Sequence, residues 1–247
     1  MYCAHELFAC IGIYKLGKPI IKIKNISFPN INKLKKVLYE YKKFPVFSFP
    51  ESIFNTLGQY IPFIIIASFA GSEAGFLFIA IRIMSMPVTL IGRSISQVYL
   101  SEARNKIEHG ELHKFTKSVL LQLAKYCLPI FVLIALTAPV LMGYILGSDW
   151  SRVGIIMALI APWHFFQIVS SPISMLLHVT GHQINALLMQ FFGFFIRTFS
   201  LVISLYFYPD LLIEFFALSS AFFYFIYFLY LYYFASKEKL ILPTQKL

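Results

Sequence analysis

Charge is what this chain has least of. Only 13% of its 247 residues are Asp, Glu, Lys or Arg, with 11 acids against 21 bases. A water-covered globule carries about a quarter charged residues, so that class is excluded. Cysteine is scarce too: Cys3, Cys10 and Cys127 are an odd, scattered set that fits no disulfide framework, zinc site or redox motif. They read as small buried packing residues. There is no P-loop, no His-Glu-x-x-His, no paired-aspartate sugar-nucleotide site and no catalytic serine arrangement. The chain is read as a non-enzyme, without cofactor or metal.

Apolar residues fill the space that charge leaves: 59% of the chain is hydrophobic and 18% aromatic, and mean hydropathy is +0.74. Six stretches reach the roughly 20 residues that a membrane helix needs, near 46–69, 76–99, 119–143, 153–179, 185–207 and 212–235. The expected connections are residues 70–75, 100–118, 144–152, 180–184 and 208–211. The reading is an all-α, polytopic membrane helical bundle. Residues 1–14 are apolar but too short to span alone, and are expected to be the remnant of a truncated membrane helix. Residues 15–44 form a basic cytoplasmic linker with an amphipathic helical pattern at Ile31, Leu34, Val37, Leu38 and Tyr41. Residues 45–235 are the six-helix bundle and 236–247 a cytoplasmic tail.

Lysine and arginine sort to one side. Segments 15–44, 100–118, 180–184 and 236–247 hold nine, four, zero and three basic residues, whereas the alternate connections hold only Arg152. The excess of basic residues on cytoplasmic loops therefore places both flanks of the bundle in the cytoplasm, with membrane lipids as neighbours. Nine lysines in 15–44 do not make a nucleic-acid site, because no arginine-rich groove or stacking pattern accompanies them.

The polar residues inside the spans carry the functional reading. Arg82 and Arg93 lie in one span, each unfavourable there by roughly 2.5–3.5 kcal/mol unless it faces protein, water or an anion. Eleven residues separate them, so their heads stand about 20° apart around the axis and about 16 Å apart along it, barring a kink at Pro87. Arg197 lies at mid-depth in the fifth span, on a row with Gln183, Gln190 and Ser204. Glu51, Asn55 and Gln59 share one face of the first span; Asn55 and Gln59 either wall a cavity or hydrogen-bond to neighbouring helices. Glu51 is the candidate for carrying a coupling proton or ligating sodium. His164, Gln167, Ser171, Ser174 and His178 form a stripe on the fourth span, whose histidines are read as packing residues. The aromatic last span is expected to face mostly lipid.

Specific strings carry a resemblance. LIGRSISQVYLSEARNK (residues 90–106), KKFPVFSFPESIFNTLGQYIP (42–62) and LGSDWSRVGIIMALIAPWHFFQIVSSPISMLLHVTGHQ (146–183) are similar to segments of polysaccharide and lipopolysaccharide flippases. In the last string Gly147, Trp150, Gly154, Pro162, Trp163, Ser171, Pro172, Ser174, Gly181 and Gln183 fall at the expected places. The chain resembles Wzx-type O-antigen flippases of the oligosaccharidyl-lipid exporter superfamily, related to multidrug and toxin extruders.

The resemblance implies one six-helix lobe, the C-terminal one, of a MATE-like twelve-helix transporter in the bacterial inner membrane. It implies that an undecaprenyl-pyrophosphate-linked oligosaccharide is flipped between leaflets. Arg82, Arg93 and Arg197 would then neutralise pyrophosphate in a shared cavity, and Asn55, Gln59, Gln97 and Gln190 would meet sugar hydroxyls. A lobe needs an opposite, either a missing N-terminal half or a second copy. The rival readings are a multidrug-exporter lobe, which favours acidic or aromatic walls, and a noncatalytic, decayed membrane fragment.

Overall fold

A computed structural model describes residue 39 and residues 43–237 except residue 181. The expected helix remnant at 1–14, nearly all of the basic linker and most of the C-terminal tail lie outside these residues. The described helices belong to one compact unit, Lys43–Leu247. They are α1 (Lys43–Phe69), α2 (Ser72–Glu108), α3 (Leu112–Leu146), α4 (Ser151–Val179), α5 (Gln183–Phe207) and α6 (Leu212–Lys237). Short 3₁₀ turns, Ser148–Trp150 and Pro209–Leu211, lead into α4 and α6. Among the described residues every regular element is helical, and six helices are long and apolar enough to cross a membrane.

Two helices exceed their expected limits. The apparent loop at 100–118 is almost entirely helix, and the chain turns only at residues 109–111. Hydropathy marks the part of a helix that suits lipid, whereas SEARNKIE continues the helix with good helix formers that suit water. At about 1.5 Å per residue, the 37 residues of α2 reach about 55 Å, against a hydrocarbon core of about 30 Å. The hairpin turn is held by Gly110 at φ +69°, by the Tyr99 hydroxyl on Thr116 Oγ1 (2.7 Å), and by Lys106 Nζ on Glu111 Oε2 (2.8 Å). The hydrogen bond to Glu111 and its charge raise the Lys106 ammonium above its ordinary range, and Lys106 holds the Glu111 carboxyl below its own. Both groups are solvated, so the pair adds little to stability.

α4 is the centre of the bundle, packing most extensively on α3, α2 and α6, while α1 and α5 pack chiefly on each other and α5 also on α6. Glycine permits the tightest approach: a Cβ at Gly154 would lie 2.1 Å from the Ala138 carbonyl oxygen, where α4 meets α3. Small residues at such crossings let helix backbones close without a hydrophobic driving force. α6 departs from the expectation of a mostly lipid-facing helix. Phe216, Ala217, Ser220, Phe223, Tyr224, Tyr227 and Leu231 are buried against its neighbours. Aromatic residues line both its faces, so composition alone does not separate the buried side from the lipid side.

One end of the bundle is clamped by Arg152, at the start of α4. Its Nε donates to Glu73 Oε2 (2.8 Å) on α2 and its Nη2 to Glu214 Oε1 (3.0 Å) on α6. Arg152, alone among the short connections in carrying a base on its side, thus ties three helix beginnings together.

Candidate functional site

The site is a groove of about 420 Å³ between α2 and α4. It forms because Gly92 lets α4 come close: a Cβ there would stand 2.7 Å from Ser171 Oγ. Ser96 fastens the crossing, its hydroxyl lying 2.7 Å from Gly92 O and 3.2 Å from Ser171 O. From α2 the groove takes Ser85, Thr89, Arg93, Ser96 and Gln97; from α4 it takes Gln167, Ser171 and Ser174. These positions recur every three or four residues, so each helix contributes one polar stripe.

The hydroxyls are already committed as donors. Ser85 donates to Arg82 O (3.3 Å), Thr89 to Ser85 O, Ser171 to Ile168 O (3.3 Å) and Ser174 to Ser171 O (2.8 Å). Each spends its proton on its own helix and keeps lone pairs that accept. Donors toward a guest therefore come from the Arg93 guanidinium and the amides of Gln97 and Gln167. The lining residues include no acid. Among the described residues no carboxylate lies within ion-pair distance of Arg82 or Arg93. The groove holds one cation, Arg93, among hydroxyl and amide acceptors, with Val88, Leu100 and Met175 as its apolar wall, a lining that suits an amphiphilic anion carrying hydroxyl groups.

Of the seven expected binding residues, only Arg93 and Gln97 line this groove. Arg82 is exposed and lies one turn beyond Ser85 on the same stripe of α2, which continues unbroken through Pro87. Gln59 donates from Nε2 to Asn55 Oδ1 (3.1 Å) along α1, and Gln190 is half-buried on α5; none of these three lines the groove.

Arg197 is the correction. It was expected to share a cavity with Arg82 and Arg93, but it is 1% exposed and sealed between α1, α5 and α6. Its Nη1 donates to Gly58 O (2.8 Å), and its guanidinium carbon lies 4.7 Å from the Phe223 ring centre and 5.3 Å from that of Tyr224. Nε and Nη2 have no hydrogen-bond partner among the described residues. A guanidinium over aromatic faces gains cation–π attraction that replaces part of its lost hydration. Glycine at position 58 leaves it room, since a Cβ there would be 3.3 Å from Nη1.

Glu51 does not line the groove. Its Oε1 lies 3.3 Å from His178 Nε2, joining α1 to α4. The other histidine of the stripe, His164, is a packing residue as expected: it is buried beside Trp163, with Nδ1 3.1 Å from Ile160 O. Gln167, Ser171 and Ser174 were visible as a stripe but not as groove residues. The signal that pairs them with α2 is Gly92, the small residue opposite Ser171.

Six helices long and apolar enough to cross a membrane, two of them enclosing a polar groove, mark a multi-pass membrane protein. Residues 25–154, just over half of the chain, match the family described as polysaccharide biosynthesis protein, and the chain belongs to that family. No curated protein and no solved structure matches it.

Proposed function

We propose that this chain forms one lobe of a transporter that flips an undecaprenyl-pyrophosphate-linked oligosaccharide across the bacterial inner membrane. It works without covalent chemistry. The carrying observation is Arg93: a guanidinium inside a span, with no acid in ion-pair reach among the described residues, opening on a groove that hydroxyls and amides line beside Val88, Leu100 and Met175. Such a charge is stabilised by an anionic guest. Pyrophosphate meets Arg93, with Gln97 and Gln167 as further donors, and sugar hydroxyls donate to the free lone pairs of Ser85, Thr89, Ser171 and Ser174. The polyprenyl tail stays in lipid beside the bundle. Arg82, farther along the same stripe, offers a second cationic station for a headgroup moving along α2.

The basic flanks set the direction, with the hairpin turn at 109–111 in the cytoplasm and the Arg152 clamp on the outer side. Polar side chains on the exposed faces of α1 and α2, among them Gln59, Arg82 and Ser94, call for an opposing lobe, either a second copy or another polypeptide segment. A cationic groove without acids disfavours cationic drugs as cargo. The test is reconstitution into vesicles with a fluorescent polyprenyl-pyrophosphate saccharide, with and without an upstream half. Translocation that fails when Arg93 is replaced by Gln, in protein that still folds, supports the reading; equal translocation by Arg93→Gln overturns it.

A further inference from the structure

α3 carries a charge pattern that neither the groove nor the Arg152 clamp uses. Its 35 residues include no acid and three lysines, Lys114, Lys117 and Lys125, all of them exposed. The packed side of the helix runs through Leu112, Thr116, Leu120, Leu123 and Cys127. The opposite side carries Lys114, Lys117, Leu121 and Lys125, spaced by three or four residues so that they form one ladder. The same spacing continues into Leu128, Val132 and Leu136, which are exposed as well.

Length sets where this ladder meets the membrane. Residues 127–146 carry no charge and, at about 1.5 Å each, match a hydrocarbon core of about 30 Å. The start of α3 therefore projects beyond the core on the side of the turn at 109–111. Lys125 stands at the hydrocarbon edge, with Lys117 about 12 Å and Lys114 about 16 Å farther out along the axis. Lysine stems are long enough to bring ammonium groups to the phosphate layer from above and below.

The protein leaves these charges open. Among the described residues no carboxylate lies within ion-pair distance of the three lysines, and Glu111, just before the helix, is held by Lys106 at 2.8 Å. α3 is also the least buried of the six spans. A ladder of lysines that passes into exposed aliphatic side chains complements an anionic head on an apolar tail.

We infer that this face of α3 binds an anionic phospholipid. The phosphate sits between Lys117 and Lys125, Lys114 adds positive charge above it, and an acyl chain lies along Leu128, Val132 and Leu136. The site is independent of the groove, because the ladder faces away from the side that packs on α4. A lipid held there ties the projecting hairpin to the bilayer surface and fixes the depth of α3.

The test uses the full chain in phosphatidylcholine vesicles. Leu128→Trp places a reporter one turn inside Lys125, and lipids brominated on their acyl chains quench a tryptophan they touch. The signal of Trp150 and Trp163 is subtracted by means of the chain without the reporter. Titrating brominated phosphatidylglycerol against brominated phosphatidylcholine gives a relative affinity at that position. The expected preference for phosphatidylglycerol is about fivefold or more. It falls to near one in Lys114→Gln/Lys117→Gln/Lys125→Gln and, without any lysine variant, at about 1 M salt. Val140→Trp, exposed on the other half of the same helix, shows a ratio near one.

A ratio near one at position 128 overturns the inference, as does an equal preference at position 140 or one that salt leaves unmoved. A preference that survives the triple substitution overturns it too, and assigns the effect to the basic segment 15–44. Absence of quenching by either lipid means that protein covers the ladder, which is a further contradiction. The lysines are exposed and opposite the packed side, so their substitution keeps the fold, and the salt measurement stands without it.

Discussion

Arg93 and Arg197 look alike in the sequence: each is a guanidinium within an apolar span. In the structure they are opposites. Arg93 is exposed on a groove of hydroxyls and amides, with no carboxylate in ion-pair reach among the described residues. Arg197 is sealed, tied to the Gly58 carbonyl and laid on two rings. The difference shows that the cost of an intramembrane charge can be met in two ways, by a guest or by the protein's own packing. Only the first leaves a charge available for function.

The largest expected effect separates the two at the level of stability. Arg197→Ala empties the volume between α1, α5 and α6 and destabilises the fold by about 3 kcal/mol through the cavity left behind. Arg197→Met refills most of that volume and removes a buried charge that has no acid partner among the described residues, so stability recovers to near wild type. Thermal unfolding in nanodiscs measures both. A large loss in Arg197→Met would instead mean that the guanidinium charge itself holds the helices.

Next in size is Arg93→Gln, which loses one charge-assisted contact of about 2 kcal/mol. Pyrophosphate affinity should fall by about tenfold or more, with stability within about 0.5 kcal/mol of wild type. Calorimetric titration and thermal unfolding together check this pairing of effects. It is the reverse of the Arg197→Ala pattern.

A smaller effect reports on the groove's geometry. Gly92→Ala sets a methyl against Ser171 Oγ and costs about 1–2 kcal/mol of overpacking. Ser171→Ala in the same chain removes the opposing hydroxyl and should return much of the loss. A double-mutant cycle on unfolding midpoints reads the coupling.

The smallest effect is at the hairpin turn, far from both arginines. The pairing of Glu111 with Lys106 lowers its carboxyl below the ordinary value, so its contribution is present above that value and lost as pH falls through the lowered one. Both groups are exposed, so Glu111→Gln should leave the neutral-pH unfolding midpoint almost unchanged and remove only a slight acid sensitivity. This variant is the control for the comparison.

The spans were legible because hydropathy responds directly to the lipid environment: all six expected helices are present. What hydropathy does not register is helix that continues into water, which is why residues 100–118 read as a loop. The buried side of α6 was hidden for another reason, since Phe and Tyr suit lipid and protein alike. At the site, helical spacing placed Arg93 and Gln97 on one stripe with Arg82. The same spacing gives a residue's angle but not the helix it meets. Arg197 therefore read as a cavity cation until Gly58, Phe223 and Tyr224 closed around it. Gln167, Ser171 and Ser174 were visible as a stripe, and only the approach at Gly92 assigns them to the groove. The Glu51–His178 pair joins residues 127 positions apart, a distance over which local patterning carries no information.

The most direct test of the central claim is pyrophosphate affinity of the full chain in nanodiscs, compared between Arg93→Gln and Arg197→Met. A loss of about tenfold or more in the first and wild-type affinity in the second is the expected result. Wild-type affinity in Arg93→Gln together with a loss in folded Arg197→Met would contradict the account, and would move the anion site to the sealed arginine.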